Sequence, residues 1–140
     1  MIAQIKFFGI ALVLFLVLDF LWIGLIANNF YIGLLGDLAR LENGKMRPLI
    51  SGAVVVYMLL AFSVVVFPLA KLTNTDSLAT SFLWGAFFGL SIYGVYDFTN
   101  YSTLAKWPLL LSIVDACWGG ILCGTVTLIL KYLRDQTRIL

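Results

Sequence analysis

Residues 78–132 read LATSFLWGAFFGLSIYGVYDFTNYSTLAKWPLLLSIVDACWGGILCGTVTLILKY, and the way this stretch divides decides the fold. An apolar run from Leu78 to Phe98 is followed by a short polar break, Thr99–Trp107, and by a second apolar run from Pro108 to Tyr132. About 20 apolar residues cross the hydrocarbon core of a bilayer as a helix, so each run is long enough to span it. A break this short makes the two helices antiparallel neighbours. Along the first of them Ser81, Gly85, Gly89, Tyr93 and Asp97 recur at four-residue steps. Such a stripe of small residues lets another helix approach closely, and it ends on a phenol and a carboxyl.

Two further runs, about 7–27 and 49–70, have the same character, which gives four spans. The expected fold is all-α: one domain over residues 1–140, an integral membrane bundle of four transmembrane helices. Composition agrees. The chain has 140 residues, 62% hydrophobic and 11% charged, and a mean hydropathy of +1.04. A soluble domain carries roughly a quarter charged residues. The net charge of +2 comes with no basic cluster of the kind that binds nucleic acid. Histidine is absent. That excludes His-ligated haem, His-based zinc sites and Ser-His or Cys-His nucleophiles, and no cofactor is expected. Cys117 and Cys123 lie six residues apart on one helix, about 9 Å along its axis, too far to bridge each other. They read as buried free thiols.

The first span resembles a signal peptide in its single Lys6 and long apolar run. Asp19 interrupts that run and no small-residue cleavage site follows before Asn28, so it reads as a retained helix. In the connection after it, apolar residues at 31, 34, 35, 38 and 41 follow a helical period, with Asp37 and Arg40 on the other side. This predicts a short amphipathic helix within 30–42, lying in the membrane interface. Lys6, Lys71, Lys131, Arg134 and Arg138 fall on the side of the termini, and Arg40, Lys45, Arg47 and Lys106 on the other. The bias favours cytoplasmic termini by a single charge.

Three acids stand inside the apolar spans with no basic residue among them: Asp19, Asp97 and Asp115. An intramembrane charge costs at least ~2.5–3.5 kcal/mol on insertion scales, so each needs a partner, a proton, water or a ligand. With antiparallel helices all three fall in the same half of the membrane, the half facing the 28–48 and 99–107 connections. Asp19-x-x-Trp22-x-Gly24 and Asp115-x-x-Trp118-x-Gly120 repeat one pattern on two helices of opposite direction. Because i and i+3 share a helix face, each Asp has a Trp beside it. Tyr93, Tyr96 and Asn100 accompany Asp97. The expected result is a one-sided pocket with a carboxylate floor and aromatic walls. It suits a cation, through charge and π-faces, or an apolar tail. A shared site places the three carboxyls within about 10 Å of one another, the scale of a ligand pocket.

Plainer readings stand beside these. Trp84 and Trp107 read as interfacial anchors, and Tyr57, Phe62 and Phe67 as lipid-facing or core filler. Asp97 could cap its helix or pair with Lys106. Asp115 could bond Tyr93 or Tyr96 for structure alone. Gly85-x-x-x-Gly89 and Gly120-x-x-x-Gly124 read as packing motifs, one for the bundle and one for a homodimer. Three carboxylates without His make a weak metal set, and no metal is expected.

Tyr93-x-x-Tyr96-Asp97-Phe98-Thr99-Asn100, Thr103, Trp107-Pro108 and Asp115-x-x-Trp118-Gly119, with Asp19-x-x-Trp22 and Phe30-Tyr31 before them, resemble the signature of a bacterial membrane protein family, domain-of-unknown-function family 2177. Phe98 stands where the family usually has Leu. The resemblance implies a four-helix protein of the bacterial inner (cytoplasmic) membrane and brings no activity with it.

Three functions fit the residues. One is binding of a lipid-like or amphipathic small molecule, with or without acid-base chemistry on it. In the catalytic version Asp115, the deeper residue, is the acid and Asp97 the base. Tyr93, Tyr96 and Asn100 orient the ligand, Asp19, Trp22 and Trp118 complete the pocket, and the 30–42 segment gates entry from the leaflet. The second is a small proton- or cation-coupled transporter working as a dimer. The third is a membrane ligand sensor or scaffold subunit.

Overall fold

The structure is a computed structural model that describes residues 2–137, with side chains from Gln4 onward. Arg138, which contributes to the charge bias above, lies outside the described residues. Five α-helices and two π-helical segments account for most of the described residues. Helix α1 covers Ile2–Asp19 and continues as a π-helical segment, Phe20–Ile26; α2 is short, Asn28–Leu35. Helix α3 covers Ile50–Val64 and continues as a second π-helical segment, Val65–Leu69. The long helices α4, Leu78–Thr103, and α5, Leu109–Thr137, complete the bundle. Among the described residues four segments are long and apolar enough to cross a membrane: Gln4–Ile26, Ile50–Leu69, Leu78–Thr103 and Leu109–Thr137.

Each boundary has a local cause. The π turn in the second span contains Pro68, which has no N–H to give an α-ladder and whose ring clashes with the preceding turn. Ser77 caps α4, its hydroxyl accepting the Thr80 N–H at 3.0 Å, the usual role of a serine at that position. Helix α4 runs to Thr103, past the expected end at Phe98, because nothing between Asp97 and Thr103 breaks a helix. Asp97 is therefore an interior residue of α4 rather than a terminal one.

The connection between the first two spans differs from its expected form. A helix does lie there, but it ends at Leu35, since Gly36 has φ 50°. A single 3₁₀ turn, Gly36–Leu38, follows, and then a hairpin of two short antiparallel strands, β1 (Leu41–Glu42) and β2 (Lys45–Met46). Asn43 and Gly44 between them both have positive φ, 52° and 74°, the geometry that joins a tight two-residue hairpin.

Helix α5 is the centre. It packs along most of its length against α4, and it also meets α1, α2 and the π turn at 65–69. Lipid tails are as apolar as the side chains, so van der Waals packing rather than the hydrophobic effect holds such a pair together. The α4–α5 seam is built for it. A Cβ on Gly85 would collide with Thr127 and the Cys123 carbonyl, and one on Gly89 with the Gly119 carbonyl. Gly119 in turn lies under the Tyr93 ring, and Gly124 under Phe82. Both GxxxG motifs thus face the same intrachain seam, and neither is left for the dimer that one was expected to serve.

On the other flank α1 packs against α3, with Ala11 and Phe15 fully buried against a cluster that includes Ala61, Val64, Leu122 and Val126. The helices are thus ordered α3–α1–α5–α4. Helix α4 returns to the second span at the π turn, while α3 proper makes no extended contact with it among the described residues. The two splay apart toward the opposite end.

Candidate functional site

The splay between α3 and α4 opens a cleft of about 810 Å³. Its mouth is lined by Ala53, Val56, Leu59 and Leu60 of α3, and by Ile92, Tyr93 and Tyr96 of α4. Leu16, Phe20, Ile23 and Gly24 of the first span line it as well, as do Asn28, Met46 and Pro48 of the connection. Two carboxyls reach the cleft, those of Asp19 and Asp115. The rest of the wall is overwhelmingly apolar or aromatic.

Asp19 is the last α-helical residue of α1 before the π segment. A π turn holds more residues per turn than an α turn and is frequent at functional sites. Here it alters the register at which Trp22 follows Asp19. Asp19 is 5% exposed and accepts the Trp118 indole N–H at 2.7 Å. Tyr57 of α3 turns its hydroxyl toward the same carboxyl. The residue read as filler is thus a partner of Asp19.

Trp22 and Trp118 stack, centroids 4.7 Å apart and planes 13° from parallel. Each Asp was expected to have its own-helix Trp as neighbour. The hydrogen bonds instead cross between helices. Trp118 of α5 serves Asp19 of α1, while Trp22 of α1 donates to the Tyr31 hydroxyl at 3.3 Å. Tyr31 donates to Asp115 Oδ1 of α5 at 2.6 Å. The repeated Asp-x-x-Trp motifs therefore exchange partners across the stacked pair, one directly and one through Tyr31. Burial, and then the neighbouring Asp115, push the Tyr31 phenol above its ordinary range, which keeps it a donor. Tyr31, 5% exposed, is the buried anchor of α2 and pins that helix over the site.

Asp97 is fully buried. It faces Asp115 side chain to side chain, and neither of its oxygens has a protein donor. Its backbone carbonyl accepts the Ser112 hydroxyl at 3.1 Å, and Ser112 in turn accepts the Trp107 indole N–H at 3.1 Å. Trp107 also meets the Tyr96 ring edge-on at 6.0 Å. These contacts tie the α4–α5 turn beneath Asp97. They also give Trp107 a structural bond besides its place near the membrane surface. No ion pair joins Asp97 to Lys106 among the described residues, and its mid-helix position rules out a cap.

The three acids thus belong to one cluster, with Asp115 in contact with Asp97 and near enough to Asp19 to act on it electrostatically. Their order of burial is the reverse of the one expected. Asp97 is the sealed residue and Asp115 the partly exposed one that reaches the cleft. Tyr93 and Tyr96 line the cleft, whereas Asn100 does not. Among the described residues no group of His, Cys, Asp and Glu is arranged to hold a metal ion.

A family model described as predicted membrane protein (DUF2177) matches residues 4–131. The chain belongs to the DUF2177 family. The match runs from α1 into the last turns of α5 and so covers every residue of the DUF2177 site described above. Neither a curated protein nor a solved structure matches the chain. For this DUF2177 protein, Tyr31, Tyr57 and Ser112 are the site residues that reading for acids left out. Only Tyr31 had a signal in the sequence, as the one phenol on the apolar face of the amphipathic segment.

Proposed function

We propose that this protein binds a lipid-like, amphipathic ligand in the cleft between α3 and α4. The polar head, positively charged, sits at Asp19 and Asp115, and the apolar tail leaves between the splayed helices into one leaflet. The observation that carries this reading is the cleft itself: an apolar, aromatic wall in which two carboxyls, Asp19 and Asp115, are set. Tyr93 and Tyr96 add π-faces that favour a cationic head. The tail route lies at membrane depth, which fits entry from the bilayer rather than from water. The bacterial inner membrane is the location that goes with this reading.

The Asp97–Asp115 contact supports a second step. Two carboxyls held against each other in a buried site repel when both are ionised, so in this reading the pair carries one proton between them. Asp115, which faces the cleft, is the group that exchanges this proton with a bound ligand, and Asp97 is the buried partner that shares it. Asp115 thus keeps the proton-transfer role expected from the sequence, while Asp97, which does not line the cleft, is not a base acting on the ligand. Transport is favoured less, because all three intramembrane acids lie in one half of the bundle and α3 contributes none.

The test is native mass spectrometry in a non-ionic detergent, with dodecyltrimethylammonium and dodecyl phosphocholine as probes. The expected result is a saturable single adduct of the cationic probe, weakened at least about tenfold, or ~1.4 kcal/mol, by Asp19→Asn. Equal retention of both probes, or retention unaffected by Asp19→Asn, overturns the reading.

A further inference from the structure

The opposite half of the bundle carries a second groove, about 880 Å³ in volume, between the π turn of the second span and α4. Its walls are apolar, Phe67 and Phe88 stacking at 6.0 Å across it, and it runs down α4 from Trp84 past Ile92 to Val95. At 1.5 Å per residue that course is about 16 Å. This is roughly half of the ~30 Å hydrocarbon core, the depth of one leaflet. A single acyl chain entering from the surface would run its length and end near the midplane.

A cation stands at the surface end. Lys71 Nζ lies 4.0 Å from the centroid of the Trp84 ring. Its position is built rather than incidental. Arg134 of α5 donates to the Leu69 carbonyl at 2.8 Å and to the Leu72 carbonyl at 2.9 Å, clamping the backbone on both sides of Lys71. Several other charges at this end are engaged, and Lys6, which also lies on this side, does not line the groove. Lys131 pairs with Asp135, and Asp76 accepts the Thr73 N–H and hydroxyl. Lys71 makes no ion pair among the described residues and keeps ammonium hydrogens to donate.

From the clamped cation and the leaflet-deep groove we infer that Lys71, Trp84 and this groove form a binding site for one anionic phospholipid. The headgroup phosphate rests on Lys71 and one acyl chain lies along α4. The site meets the acidic cleft at Ile92, which lines both, and it does not depend on the function proposed for that cleft. Opposite charges at opposite ends, each beside an apolar channel, would let the two sites select lipids of opposite headgroup charge.

Native mass spectrometry of the full chain tests this, with phosphatidylglycerol and phosphatidylcholine of identical acyl chains as probes. Phosphatidylglycerol is expected to be retained preferentially. Lys71→Gln should reduce that preference about fivefold, the effect of one basic residue near an anionic headgroup, while Lys6→Gln should leave it unchanged. Ser91→Trp, which fills the groove without touching its charge, should lower retention of both lipids. A preference that survives Lys71→Gln, or that falls equally with Lys6→Gln, overturns the headgroup assignment. Retention unaffected by Ser91→Trp overturns the groove as the seat of the chain.

Discussion

Tyr31→Phe deletes one oxygen, and with it the bond that joins α2 to Asp115 and the bond it receives from Trp22. The phenol donates to Asp115 at 2.6 Å and accepts from Trp22 at 3.3 Å. Replacing it by phenylalanine keeps the packing of the ring and leaves Asp115 Oδ1 and the Trp22 indole without these partners. A hydrogen bond to an ionisable group is worth about 1.5–3 kcal/mol in soluble proteins. In a membrane the unfolded reference also finds partners, and measured couplings average roughly 0.6 kcal/mol with a maximum near 1.7. The Tyr31 bond is short and sits where the connection meets the membrane, so its coupling to Asp115 should be about 1–2 kcal/mol. The assay is a double-mutant cycle of Tyr31→Phe and Asp115→Ala, with unfolding in mixed micelles as readout. Amide exchange over residues 28–35 should rise in Tyr31→Phe, because the anchor of α2 is weakened. A coupling below about 0.3 kcal/mol, within the scatter of independent sites, would refute the claim that this bond docks α2.

Other outcomes follow from the same geometry. Gly89→Leu should lower the unfolding midpoint strongly, because its side chain would run into the Gly119 carbonyl and Cys123, whereas Gly94→Leu, with open space at its Cβ, should be mild. Arg134→Gln should loosen the end of the second span, seen as faster amide exchange over residues 70–73, since it removes the two bonds to the Leu69 and Leu72 carbonyls. The backbone and hydroxyl bonds from Thr73 hold the Asp76 carboxyl below the usual carboxylate range. A depressed folded-state value means that this stabilisation is complete above the ordinary pKa of about 3.9. It is lost as pH falls through the depressed value. Amide exchange in the 73–77 turn should rise at that acid limit in the native chain, while Asp76→Asn should show no such step. Trp118→Phe should remove the donor to Asp19 and shift the near-ultraviolet circular dichroism of the stacked pair; an unchanged spectrum would contradict the stacking at 4.7 Å.

Much of this arrangement was legible in the residues. Hydropathy alone marks four spans, and the antiparallel order puts Asp19, Asp97 and Asp115 in one half of the membrane. The Ser81–Gly85–Gly89–Tyr93–Asp97 stripe was readable as a close-packing face, and it is the face that meets α5. What could not be read depends on which helices are neighbours. The order α3–α1–α5–α4 brings Tyr57 to Asp19 and sends Trp118 across to it, and neither pairing follows from spacing along one helix. The end of α4 was misplaced because the polar residues from Asp97 to Asn100 look like a surface loop, although they are good enough helix formers to continue to Thr103. The hairpin at Leu41–Met46 did carry its signal, Asn43-Gly44. Strands of two residues leave no alternation to confirm it, and the apolar positions around it also fit a helical period.

The central claim is that the cleft between α3 and α4 holds an amphipathic ligand against Asp19 and Asp115. It is tested most directly by a photo-crosslinking amino acid at Val56, on the cleft wall. The same group at Val13, an exposed position outside the residues lining the cleft, serves as control, with irradiation in native membranes and mass analysis of the adducts. The account predicts a discrete amphipathic adduct at Val56 that is absent at Val13 and diminished by Asp19→Asn. The same mixture of bulk membrane lipids at both positions, unchanged by Asp19→Asn, would contradict it.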